Sequence, residues 1–143
     1  MTVKLILDSK GSDVATIAPT ANLASAVKLL AKHRIGALFV IGPDQRVAGI
    51  ISERDIIHGL ADLGAAALEQ AIGQVMTRKV VTCTCAEAIS NVMELMTAGK
   101  FRHLPIVEDG RLIGILSIGD IVKHRLQEIE AESAALRDYI RST

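Results

Sequence analysis

Two short stretches hold residue types at a spacing that can do chemistry: Ser52-Glu53-Arg54-Asp55 and Ser117-Ile118-Gly119-Asp120. Each follows an aliphatic run and opens an amphipathic one, so each falls where a strand hands over to a helix. Ser-x-x-Asp at such a place is first a capping box. The Ser oxygen accepts the amide three residues on, and the carboxylate reaches back to the Ser amide, an arrangement worth about 1 kcal/mol. The same place suits a ligand. A helix N-terminus presents unbonded amides and partial positive charge to a phosphate. A carboxylate beside it can accept both hydroxyls of a ribose, as acidic residues do in other nucleotide folds. Hydroxyl for phosphate and carboxylate for ribose, three residues apart, match a nucleoside phosphate. Capping and binding can share residues, so both readings stand.

Other reactive residue types are poorly placed. Cys83 and Cys85 lie two apart in VVTCTC, on one face if the run is a strand. Half a metal site at best, they are followed by no second Cys or His pair at ligand spacing, so no metal is expected. His33, His58, His103 and His124 are scattered, and nothing local suggests a nucleophile with its base and orienting carboxylate.

Composition narrows the class. Half of the 143 residues are apolar and 2% are aromatic, so the core is aliphatic and suits buried strands covered by helices. The formal net charge is zero, which gives no support to broad nucleic-acid binding. No run approaches a membrane span, and the start MTVKLILDSKG does not read as a signal peptide; a reducing, cytoplasmic location is the default expectation.

The elements that must position the two stretches are written twice. At an offset of 65 residues, PDQRVAGIISERDII (43–57) faces EDGRLIGILSIGDIV (108–122). The identical pairs are Asp44/Asp109, Arg46/Arg111, Gly49/Gly114, Ile50/Ile115, Ser52/Ser117, Asp55/Asp120 and Ile56/Ile121. Unrelated stretches of this length would share about one. Each copy has the same grammar. A β-prone run comes first, DVATIAP or KVVTC. A helical stretch follows, ANLASAVKLLAKH or AEAISNVMELMTAGK, with apolar residues at steps of three and four. Two short strands come next, ALFVI and VAGIIS or LPIVE and LIGILS, joined by a turn. Then the second helix opens. The expected fold is α+β: two β-α-β-β-α units packed sheet to sheet with pseudo-two-fold symmetry. Residues 1–70 hold an N-terminal helix, VKLILDSKG, and the first unit; residues 71–143 hold the second unit and a helical extension.

This unit, the duplicated G-h-x-S-x-x-D-h phrase, RHLPIV with its preceding helix, and the MT-x-x-V run at Met76–Val80 resemble the cystathionine beta-synthase (CBS) domain. Two in tandem form a CBS pair, or Bateman module, and the resemblance covers about residues 8–130. It implies phosphate contacts from Ser52 and Ser117 and ribose contacts from Asp55 and Asp120. It places adenine in the cleft between copies, its edge read by the backbone of the opposite copy's strand start: Ile35, Gly36 and Ala37 for the Asp120 site, and Arg102, His103 and Leu104 for the Asp55 site. Thr16 and Thr82, near the ends of the first strands, are further candidates.

The copies differ. In sequence, Arg102 and His103 face Ile35 and Gly36, and Arg54 faces Gly119. Arg near a phosphate makes charge-assisted bonds, so the clefts should differ in affinity, with the Asp120 cleft the tighter. At the C-terminal end, Leu126, Ile129, Ala134, Leu136, Tyr139 and Ile140 fall near one or two faces of a helix. The resemblance implies a homodimer of four CBS domains. The expected function is a regulatory sensor without catalysis of its own. It would bind an adenine nucleotide (AMP, ATP or NAD) and signal to an unidentified protein, with no nucleic acid or membrane involved. Within these residues the two units leave no room for an attached enzyme. The rival readings are an interaction module with empty clefts and a small-metabolite enzyme.

Overall fold

A computed structural model describes residues 1–10 and 15–142, so Asp13 and Val14 of the expected first strand lie outside the described residues. The first copy runs β1 (Thr16–Ile17), α2 (Leu23–His33), β2 (Ala37–Ile41), β3 (Val47–Ser52) and α3 (Glu53–Leu63), after the opening helix α1 (Val3–Lys10). A 3-10 turn (Gly64–Glu69) and the short helix α4 (Ile72–Val75) lead to the second copy: α5 (Ile89–Gly99), β4 (His103–Glu108), β5 (Arg111–Ser117) and α6 (Ile118–Ser142). The expected α+β units are therefore present, with strand bounds close to the aliphatic runs. Among the described residues no helix is long and apolar enough to cross a membrane.

Helices α2 and α5 bury matching stripes, Leu23, Ala26 and Leu30 in one and Ile89, Val92 and Met96 in the other. Both stop at a left-handed residue, Arg34 (φ 54°) and Lys100 (φ 57°), which turns the chain into the following strand. The first sheet has order β1-β2-β3, with β1 parallel and β3 antiparallel to β2. The second sheet has two strands, β4 and β5.

The expected strand KVVTC is a correction. It contributes a single parallel bridge, Cys83 to Ile106. The Cys83 amide donates to the Pro105 carbonyl and the Val107 amide donates to the Cys83 carbonyl. One step back, the ladder would need an amide from residue 105, and proline has none. One step on, the Cys85 amide is taken by the Glu108 carboxylate at 2.9 Å. Phe39 holds the place of Pro105 in the first copy, and there β1 forms.

The register also corrects the pairing of the two copies. Ala37 lies opposite Ser52, and His103 opposite Ser117. Gly36 is thus the counterpart of Arg102 and Ala37 of His103, because the first hairpin is one residue longer than the second.

Each half's core is completed by the helix that introduces the other half. Val3, Ile6 and Leu7 of α1 are buried with Val92, Leu104, Leu116 and Ile121 of the second copy. Ala67 and Ile72, which precede the second copy, are buried with Leu23, Leu38, Ile51 and Ile56 of the first. The exchange is symmetrical down to single hydrogen bonds. Ile72 N donates to Ala21 O as Val3 N donates to Glu87 O; Gly73 N to Pro19 O as Lys4 N to Cys85 O. The duplicated glycines are the clearance for these segments. A Cβ on Gly49 would stand 2.6 Å from the Thr77 carbonyl, and one on Gly114 would stand 2.9 Å from a Leu7 methyl. The halves also meet at their hairpins, where Leu112 N donates to Gln45 O at 3.2 Å.

Candidate ligand site

The chain turns from β3 into α3 at Ser52, whose extended backbone (φ −116°, ψ 164°) makes it the N-cap. Its Oγ accepts from the Asp55 amide at 3.3 Å, and the Ser52 amide donates to Asp55 Oδ2 at 3.0 Å, so the capping box is complete. The second junction repeats it: Asp120 N donates to Ser117 Oγ at 3.0 Å and Ser117 N to Asp120 Oδ2 at 2.9 Å. Sequence-readable grammar thus fixes both carboxylates, half-buried, at helix starts.

What surrounds the frames differs. Asp55 also receives the Ser52 hydroxyl at 3.0 Å and the Thr77 hydroxyl at 3.3 Å. Thr77 comes from the segment that crosses β3, where it exchanges two backbone bonds with Ile50. Thr77 belongs to the MT run at Met76–Val80, whose pattern alone assigns it no role; the signal available was a hydroxyl placed to reach the box. The exchanged segment at the other junction has Asp8 in the equivalent position, which offers no hydroxyl. The first turn of α3 carries Glu53 and Asp55, whereas that of α6 carries Asp120 alone. A phosphate at α3 would meet two carboxylates, with the exposed Arg54 between them in sequence. At α6 it would meet Ile118 and Gly119, and a Cβ added to Gly119 would touch only Ser117 Oγ.

Strand starts dock directly on these helix starts. Glu53 N donates to Gly36 O and Ile118 N donates to Arg102 O, both at 2.9 Å. Arg102, exposed, is therefore one backbone bond from the start of α6, whereas its counterpart Gly36 carries no side chain. Ile35 and Gly36 line an apolar groove of about 670 Å³ together with Arg34, Glu53, Ile56 and Ile57. His103 lines a small cavity of about 120 Å³ with Phe101 and Lys79 of its own side and Phe39 and Ile50 of the first copy. The second copy's strand start thus faces the first copy's sheet, two residues from Ser52. Ala37 stands half-buried at the head of β2. Leu104 is fully buried, which leaves only its backbone for a ligand. Thr16 lines a separate hollow with Pro19, Gly42 and Gln45. Thr82 is exposed beside the Cys83 bridge. Burial, with Glu87 and Cys85 adding to it, pushes the Cys83 thiol up to about 11, so this cysteine is a core residue rather than a nucleophile. Among the described residues no three His, Cys, Asp or Glu side chains stand together as a metal site.

Comparison with known proteins agrees with this architecture. The CBS domain family model matches twice, at residues 9–62 and 72–127. The chain is 37% identical over 120 residues to the mitochondrial CBS domain-containing protein CBSX3 of Arabidopsis thaliana, covering 81% of this chain and 58% of that one. It thus spans little more than half of that relative. The crystal structure of the CBS-domain containing protein ATU1752 from Agrobacterium tumefaciens superposes with a TM-score of 0.77 at 46% identity, over 87% of this chain and 92% of that one. The CBS domain pair of protein MJ0100, solved with 5-methylthioadenosine and S-adenosyl-L-methionine, gives a TM-score of 0.74 at 28% identity, over 90% and 98% of the two chains.

Proposed function

The chain belongs to the CBS domain family, with two copies in tandem, and from that premise we propose that it is a regulatory module that binds an adenosine nucleotide between its copies. In this reading it does no chemistry of its own and signals through a second protein. The observation that carries the reading is the α6 junction. A Ser–Asp box there opens a long helix with Arg102 one backbone bond away, and no second carboxylate stands in the first turn. Ser117 and the Gly119 amide take phosphate, Arg102 adds a charge-assisted bond, and Asp120 takes the ribose hydroxyls. Ile35, Gly36 and Ala37 contribute backbone to the base of this ligand. Ser52, Arg54 and Asp55, with Thr82 and the backbone of Arg102, His103 and Leu104, form the weaker second cleft; Thr16 borders the first. MJ0100 was solved with two adenosine compounds, and an adenosine moiety is the part such a ligand would share here with AMP, ATP or NAD.

The apolar flank between α2 and α3, where Val27 and Ile57 are exposed, supports a homodimer. A ligand acts on the second protein by favouring one geometry of that dimer over another. Native mass spectrometry of the purified protein reads both the dimer mass and any co-purified nucleotide, and calorimetric titration with AMP, ATP, NAD and S-adenosylmethionine ranks the ligands. A ligand at 100 times its Kd should add about 2.7 kcal/mol to stability. One observation favours an interaction module at the first cleft: the Asp55 carboxylate is already engaged by Ser52 and Thr77. No change of melting temperature with millimolar nucleotide would extend that rival to the whole protein.

A further inference from the structure

Helix α6 runs for 25 residues, yet Ile121 is its only buried residue among those described. From Arg125 to Ser142 it extends roughly 27 Å at the usual helical rise. Along this arm Val122, Leu126, Ile129, Ser133, Leu136 and Ile140 follow one another at alternating steps of four and three. That is the a/d seam of a coiled coil, with Leu126, Ser133 and Ile140 at a and Val122, Ile129 and Leu136 at d. The apolar members stand in solvent: Leu126 is 55% exposed, Ile129 50% and Leu136 60%. The body of the protein lies on another side of the helix, where Ile121, His124 and Glu128 are buried or half-buried.

The charges beside the seam say what covers it. Positions g are Arg125, Glu132 and Tyr139; positions e are Lys123, Glu130 and Arg137. In a parallel pair each g residue meets the e residue five places on in the partner. Arg125 then meets Glu130 and Glu132 meets Arg137, each twice by symmetry, all attractive. In the antiparallel pair that keeps the same apolar layers, Glu132 meets Glu132, Glu130 meets Glu130, and Lys123 meets Arg137, all repulsive. Within the helix Arg125, itself exposed, pairs at 3.0 Å with the half-buried Glu128, a contact weak enough to yield.

We infer that the C-terminal arm of α6 pairs with the same arm of a second copy of this chain as a parallel coiled coil. This rests on the dimer proposed above, because fewer than three heptads hold only when the bodies already keep the arms together. A parallel pair lies along the two-fold axis, so the inference also sets the dimer's geometry: the second CBS copy sits beside its own counterpart, head to head.

Sedimentation of the parent protein and cysteine cross-linking test it together. On a Cys85→Ser background, Leu136→Cys alone should give mostly disulfide-linked dimer under mild oxidation, and Leu126→Cys alone should do the same. A link that forms only when the two variants are mixed, or in neither, while the parent sediments as a dimer, overturns the coiled coil and leaves the dimer standing. A monomeric parent overturns both. The charge seam is read separately: Glu132→Lys should weaken self-association about tenfold, and Glu132→Lys with Arg137→Glu should restore it. A double variant as weak as the single one would overturn the parallel pairing.

Discussion

The junctions at Ser52 and Ser117 share one frame and differ in everything that a ligand would feel around it. In the first copy the carboxylate holds a Ser hydroxyl and a Thr hydroxyl, and Glu53 adds a second negative charge at the helix start. In the second, the helix start carries Asp120 with Gly119, and Arg102 lies beside it. Duplication thus conserves the fold device while the residues around it diverge in charge and in hydroxyl partners. A site cannot be read from the Ser-x-x-Asp phrase alone.

The sharpest way to break the symmetry is at the duplicated glycines. Gly49→Ala would drive a Cβ onto the Thr77 backbone and should cost about 2–3 kcal/mol, whereas Gly114→Ala meets a movable Leu7 methyl and should cost about 1 kcal/mol. Urea unfolding of both variants measures the difference; equal losses would mean that the exchanged segments are held alike. Next in size is affinity. Asp120→Asn should weaken nucleotide binding at least tenfold, about 1.4 kcal/mol, with little loss of stability, since Asn can still bond locally. Asp55→Asn should do the reverse: about 1 kcal/mol of stability lost as the Ser52 and Thr77 hydroxyls lose a charged acceptor, and a smaller change in affinity. Calorimetry and thermal melts on the same samples separate the two, and identical behaviour would withdraw the assignment of roles.

The smallest effect concerns Cys83, which occupies the place that Ile17 fills in the first copy. Its thiol binds its proton more tightly folded than unfolded, so the unfolded chain ionises first as pH rises. Stability should be intact below pH 9 and fall as pH climbs from 9 toward about 11. Cys83→Val should remove that part of the alkaline loss, measurable as a flatter melting-temperature profile over this window.

Much of this was legible in the sequence. The boxes, the strands and the stripes of α2 and α5 depend on residues close together in the chain, where spacing alone carries the signal. The missing strand at Lys79–Cys83 was hidden because its cause lies elsewhere, in the absent amide of Pro105 and the carboxylate of Glu108. The pairing of Arg102 and His103 was hidden too: one additional residue in the first hairpin changes the offset from 65 to 66 upstream of it, and the pairing made from sequence, at 67, overshot that shift. The role of Thr77 and the exchange of α1 and α4 were invisible because both are contacts between residues far apart in sequence, from Thr77 with Asp55 to Val3 with Glu87. Gly49 and Gly114 advertised a close approach without saying to what.

That exchange has a consequence for biosynthesis. Helix α1 leaves the ribosome before its seat exists, since Val92, Leu104, Leu116 and Ile121 are made some eighty or more residues later. At cellular elongation rates its apolar face waits several seconds without cover. The first copy, by contrast, acquires Ala67 and Ile72 almost as soon as its own strands are complete. Newborn chains should therefore pass through a stage in which the first copy is closed and α1 is still exposed, the moment at which a chaperone, or another nascent chain, has most to grip.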